Sequence, residues 1–280
     1  MKMNKKSLSI SIMVALIVFS TNSAAESCTQ RPERAILERL LDLDVAGAET
    51  MLLSWPDGVN RQYYEAMVSV IKTYNGDNGV DEEMKKEAIK KLGKVIRTSQ
   101  KNYNRKRPEN SLVLGMSRMY RAGLNMTLDK GTSAYNDTYK SQQTFKELTK
   151  DYPDFTDSLL VMGMFELFLS NIPEHQKGKA KVFLSLDGNK QKGIDFLERA
   201  VETSPLTAPE SARVLLMEAN LEAPEICRYR SLAVDMRNRY RNNDLLKLTE
   251  SIIGLQCNIA AAEGAYIAPD KQFTIHPGCL

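Results

Sequence analysis

The chain has 280 residues, enough for one long or two ordinary domains, with 38 Lys and Arg against 35 Asp and Glu and a pI near 8.5. Three lysines and no acids precede Ala25, so a chain cut there keeps 35 residues of each sign and a formal charge of zero. The pI is then no argument for nucleic-acid binding.

Residues 1–25 read as an export signal. Lys2, Lys5 and Lys6 form the positive end, Leu8 to Phe19 the apolar run, and Ser23-Ala24-Ala25 a small-residue cleavage site. The apolar run is shorter than the ~20 residues a bilayer span needs. Val161 to Leu169 is also apolar, but Glu166 interrupts it and it reads as a buried helix.

From Pro32 onward the pattern is helical. Pro32 to Leu43 has Pro in its first turn and an apolar stripe at Ile36, Leu37, Leu40 and Leu41. Asp44 is placed to cap a helix from Val45 to Trp55, and Pro56-Asp57-Gly58 is a turn. A helix over 60–73 leads to the loop Asn75-Gly76-Asp77-Asn78-Gly79. The acids that follow, Asp81, Glu82 and Glu83, lack EF-hand spacing and read as a helix N-terminus.

Asp81 to Gln100 is strongly amphipathic, with Met84, Ala88, Leu92, Val95, Ile96 and Ser99 on one face. Lys86, Lys90, Lys94, Arg97 and Lys101 form a basic face, extended by Arg105, Lys106 and Arg107. Such a face is either simply solvated or a docking surface for an anionic partner or lipid headgroups, a peripheral membrane contact. Ser111 to Asn125 and Ser133 to Tyr152 pair as helices, closed by Pro153. Met116, Met119, Met126, Met162 and Met164 read as core filler, since no His or Cys accompanies them as a copper ligand.

Phe155 to Ser170 and Lys190 to Glu202 are two further helices around a basic stretch, residues 172–189. In the second, Gly193, Leu197, Ala200 and Pro205 follow a small, large, alanine, proline spacing, and Ser141, Phe145, Leu148 and Pro153 stand at the same relative positions. The two prolines are 52 residues apart, about 18 more than a 34-residue repeat, which is the length of the stretch 172–189.

On these positions the chain resembles a divergent tetratricopeptide-repeat protein. Ile172-Pro173, Leu184 to Gly188 and Lys192-Gly193 with Leu197 to Ala200 are similar to exported bacterial repeat proteins without assigned activity. More distantly the chain looks like the T component associated with TRAP transporters. Glu174, His175 and Asn189 depart from the loop pattern of those repeat proteins. The resemblance implies an all-α fold, a right-handed superhelical stack of antiparallel helix pairs over residues 26–262, with 172–189 inserted in one repeat and 263–280 an extended tail. It also implies a periplasmic location.

The cysteines left after cleavage are Cys28, Cys227, Cys257 and Cys279. Pro224 to Arg241 and Asp244 to Ala262 form a helical hairpin about Asn242-Asn243, residues suited to a left-handed C-terminal position and an N-cap. Cys227 and Cys257 lie equally far from that turn, so they are expected to be level and bridged. Cys28 and Cys279 then pair by elimination. No CxxC is present and His175 and His276 are the only imidazoles, so neither a metal site nor a cofactor is expected.

No nucleophile elbow, zinc-protease helix, phosphate loop or dinucleotide fingerprint occurs, and no enzyme is expected. Two readings follow: a scaffold whose groove holds a protein or peptide, or a carrier of a small hydrophobic ligand near Phe155, Met162, Phe165 and Phe168. The residues expected to touch a partner are Lys177, Lys179, Lys181 and Phe183 in the insertion, with Tyr229, Arg230 and Arg237 near the C-terminus.

Overall fold

A computed structural model describes residues 32–73, 81–102, 104, 107–171, 188–218, 221, 225–265, 270–273 and 275. Among them are eleven α-helices, one short 3-10 helix and no strand. In chain order the α-helices are α1 (Pro32–Leu41), α2 (Val45–Leu53), α3 (Val59–Lys72), α4 (Glu82–Lys101), α5 (Pro108–Thr127) and α6 (Gly131–Asp151). Then come α7 (Ser158–Ser170), α8 (Lys190–Thr203), α9 (Ala208–Glu218), the 3-10 helix (Glu225–Tyr229), α10 (Arg230–Arg239) and α11 (Asp244–Ala262).

Local chemistry sets most of these ends. Leu43 takes a positive φ of 62° and stops α1 two residues short of the expected end. Asp44, Asp81, Asn189 and Asn243 each accept a backbone N–H from the first turn of α2, α4, α8 and α11. Asn243 thus caps as expected, but Asn242 is not left-handed, because its amide is engaged elsewhere. Pro108 lies in the first turn of α5, so that helix begins three residues earlier than the apolar pattern indicates.

Each helix packs on the next. The substantial contacts that skip a helix join α1 to α3, α3 to α5, α7 to α9 and α9 to α11. These odd-numbered helices hold most of the core. Ser111 to Tyr120 of α5 and Ala208 to Leu216 of α9 are buried without a break, whereas α4 and α8 are buried along one stripe. In α4 that stripe runs through Ala88, Leu92, Val95, Ile96 and Ser99. Met84, expected to belong to it, is exposed, and Lys85 beside it takes the buried position at that end of the stripe.

Two helix pairs cross through the same device. A Cβ on Gly115 of α5 would lie 2.5 Å from the ring of Phe145 on α6, and Ser141, one turn earlier, donates to the Gly115 carbonyl at 2.7 Å. A Cβ on Gly163 of α7 would lie 2.7 Å from Leu197 and 3.0 Å from the Gly193 carbonyl on α8. In both crossings a glycine faces a small residue, and a fully buried large residue four positions later fills the gap.

Longer-range bonds tie these pairs together. Asp157, just before α7, is buried and its carboxylate accepts from Leu206 N at 3.2 Å and Thr207 N at 2.9 Å, at the entry to α9. Cys227 and Cys257 form the expected disulfide, with their Cα atoms 5.5 Å apart. The residue range expected to begin one continuous helix at Pro224 instead contains the 3-10 helix that carries Cys227. Cys28 and Cys279 lie outside the described residues.

Candidate functional site

A groove built from three helices lies on the described surface. It occupies about 490 Å³ between α4, α5 and α6. Gln100 comes from α4, Leu114 and Arg118 form the floor from α5, and α6 contributes Tyr139, Lys140, Gln143 and Glu147. Arg118 is 8% exposed, and its guanidinium donates to Thr144 Oγ1 at 2.9 Å and to the Lys140 carbonyl at 3.3 Å. These bonds fix the floor. A neighbouring bidentate pair, Arg121 to the buried Asp137 at 2.6 and 2.7 Å, locks α5 against α6 in the same register.

The rim is different in character. Tyr139 is 43% exposed, a rigid ring with a free polar tip over the groove. Arg97, one turn before Gln100 on α4, and Lys101, next to it in sequence, are exposed and in no ion pair with a described residue, and they flank the groove without lining it. Of the expected basic face, Lys86 is committed to Glu82 and Glu83, and their carboxylates hold its ammonium above the usual range. Lys90 and Lys94 are exposed on the same helix. Of the cations in this region, Arg118 and the exposed Lys140 line the groove itself.

The other expected partner residues separate. Lys177, Lys179, Lys181 and Phe183 lie outside the described residues, as do Glu174 and His175. The base from which that segment leaves is well defined: Glu166 accepts from Lys192 Nζ at 2.6 Å and from Asn189 N at 3.0 Å, and Gly188 rests against the backbone of Leu169 and Ser170. A side chain at 188 would collide with that backbone, which is why glycine stands there.

Tyr229 is not on the surface. It is 1% exposed, its hydroxyl donates to Glu198 at 2.7 Å, and its ring stacks on Phe273 of the tail. Burial and the Glu198 carboxylate push the phenol far above its ordinary value. Glu198 also receives Lys271 at 2.9 Å and Arg228 at 3.3 Å. Residues 270–273 are thus held by side chains, with Lys271 N donating to the Arg228 carbonyl, independently of Cys279. Arg230 is exposed, seven residues before the half-buried Arg237 on α10. Arg237, Arg241 and Lys247 line a second, basic cleft of about 380 Å³ where α10 meets α11.

Most of the group expected around a ligand cavity belongs to the core, while Phe168 is half-buried outside it. Phe165 packs edge-on against Phe145 at 6.2 Å, and Phe155 and Met162 lean on the same cluster. No helix of the described residues is long and apolar enough to cross a membrane. The chain matches no protein-family model, no curated protein and no solved structure in comparisons with each.

Proposed function

We propose that the chain is an exported, non-enzymatic recognition protein built from tetratricopeptide-like helix pairs, whose groove between α4, α5 and α6 holds an acidic peptide segment of a protein partner. The observation that carries this reading is the groove itself, with the Arg118 guanidinium fixed in its floor and the exposed Lys140 on its wall, flanked on α4 by the cations Arg97 and Lys101, which pair with no described acid. An extended acidic strand supplies carboxylates to the rim and backbone carbonyls and amides to Gln100, Gln143 and Tyr139.

The repeated crossings at Gly115 and Gly163 support the repeat architecture, because each pair uses the same small-against-large packing. The chain-order packing supports it as well. The periplasm, where a disulfide such as Cys227 to Cys257 persists, is the proposed compartment. The carrier reading draws no support from Phe155, Met162 and Phe165, which pack in the core.

The test is photocrosslinking in living cells from a reactive amino acid placed at Tyr139, with exposed Leu53 as a control position. The expected result is one dominant protein adduct from position 139 and none from position 53. Absence of any protein adduct, together with a co-purifying lipid, would refute the proposal.

A further inference from the structure

The C-terminal hairpin carries a second concavity, and its charges are not consumed by the packing around it. The cleft of about 380 Å³ between α10 and α11 is lined by Arg237, Asn238, Arg241, Lys247, Glu250 and Ser251. Three cations share it with one acid, which leaves the lining positive.

Both guanidiniums are held in place by one residue. Arg237 Nη2 donates to Asn238 Oδ1 at 3.1 Å, and Arg241 Nε donates to the Asn238 carbonyl at 3.2 Å. Asn242, the next residue, is hydrogen-bonded to Asp42, which fixes the backbone there. The Nη1 and Nη2 groups of Arg241 are left with no described partner, and they form the edge that grips an oxyanion through two parallel hydrogen bonds. Arg237 Nε is buried and has no hydrogen-bond partner either. Gathering two like charges on one residue costs energy that a bound anion recovers.

The α11 wall adds donors and sets a requirement. Lys247 pairs with Asp244 at 2.8 Å, but the Asp244 side chain is 89% exposed, so water screens the pair and Lys247 can turn to another acceptor at little cost. Ser251 adds a hydroxyl. Donors thus come from α10, from the turn and from α11. A tetrahedral phosphate presents oxygens to all three, whereas a planar carboxylate matches a single guanidinium fork. Glu250 is half-buried in the same lining and in no ion pair with a described residue. Its carboxylate repels a fully ionised oxygen and accepts from an O–H, so the ligand has to carry a proton on that side.

We propose that this cleft is a binding site for a phosphate group that keeps one O–H, with Arg237, Arg241 and Lys247 on its oxygens and Glu250 on its hydroxyl. Free hydrogen phosphate and the monoprotonated headgroup of phosphatidic acid share that chemistry. Sulfate has the shape but no proton near neutral pH. The cleft shares no lining residue with the groove between α4, α5 and α6, and neither proposal depends on the other.

Isothermal titration calorimetry of the purified protein with sodium phosphate, at neutral pH and low salt, tests this. Saturable binding is expected, and Arg241→Gln should weaken it about tenfold or more. That side chain is exposed, so the far-ultraviolet spectrum should not change. Sodium sulfate should bind wild type about tenfold more weakly than phosphate and should match it in Glu250→Gln. Sedimentation with vesicles of phosphatidylcholine and phosphatidic acid separates the two sources: binding to these vesicles but not to free phosphate, lost in Arg241→Gln, assigns the phosphate to a lipid. No binding to either, binding unchanged in Arg241→Gln, or equal binding of sulfate and phosphate by wild type would each overturn the proposal.

Discussion

Asn242 donates both its backbone N–H, at 2.8 Å, and its side-chain amide, at 2.6 Å, to the carboxylate of Asp42, 200 residues earlier in the chain. Asn243 adds a bond from its amide to the Leu41 carbonyl at 2.7 Å. The turn of the C-terminal hairpin is thus fastened to the end of the first helix, and the array does not end free on that side. Asp42→Ala is expected to lower stability by about 1 kcal/mol, the worth of a pair of partly solvated hydrogen bonds. Urea unfolding of Asp42→Ala, Asn242→Ala and the double variant checks it: the two losses should not add.

The glycine crossings are tighter than any side chain tolerates. Gly163→Ala places a Cβ against Leu197 and the Gly193 backbone, and Gly188→Ala one against the Leu169 and Ser170 backbone. Each should destabilise by about 1–3 kcal/mol, the usual range for overpacking. Gly254→Ala, with open space around it, is the control and should be neutral or slightly stabilising. Thermal unfolding of the three variants orders them.

Asp157 acts as a distant cap for α9. Replacing it with Ala removes the carboxylate to which the buried Leu206 and Thr207 N–H groups donate and is expected to cost about 2–3 kcal/mol. Hydrogen exchange should show the loss first at the α9 amides, not at α7 itself.

The disulfide closes a loop with a sequence separation of 30. Loop-entropy reasoning gives about 3–4 kcal/mol for a loop of that size. Cys227→Ser with Cys257→Ser should lower the unfolding free energy by that amount while α1 to α9 keep their helicity. Calorimetry of the variant, compared with reduced wild type, measures it.

Two phenols bind their protons more tightly folded than unfolded. Burial is the leading cause for both Tyr64 and Tyr229, with Glu198 adding to it at Tyr229. The stability they lend is complete below about pH 10, the ordinary tyrosine value, and falls as pH rises through it, because the unfolded chain then releases protons that the native state retains. Absorbance at the tyrosinate band should show these two ionising only with unfolding, and Tyr229→Phe should make the alkaline loss of stability less steep.

Much of the architecture was legible because it is local. The 3.6-residue period, the caps at Asp44 and Asn243 and the acids from Asp81 at a helix N-terminus place the helices, and symmetry about the hairpin turn places Cys227 beside Cys257. The second-helix spacing marked Ser141 and Gly193, but their partners Gly115 and Gly163 lie in apolar runs where a glycine carries no signature of its own. Asp157 and Asp42 act across 50 and 200 residues, beyond any local pattern. Tyr229 read as a surface ring because the tail that covers it, through Phe273, shows no period. The groove combines three helices, and only the basic residues of α4 beside it could be seen in sequence. Helix α11 is apolar on two sides in sequence, and packing alone decides which side is left outward.

The central claim, that the groove between α4, α5 and α6 holds an acidic segment of a protein partner, is tested most directly by reversing the α4 cations beside it. The measurement is the yield of the position-139 crosslinked adduct in the variant R97E/K101E, with wild-type levels of folded protein confirmed by circular dichroism. The account predicts at least a tenfold fall in adduct, equivalent to 1.4 kcal/mol, and a wild-type yield that declines as salt is raised. An adduct that persists undiminished in R97E/K101E would contradict it.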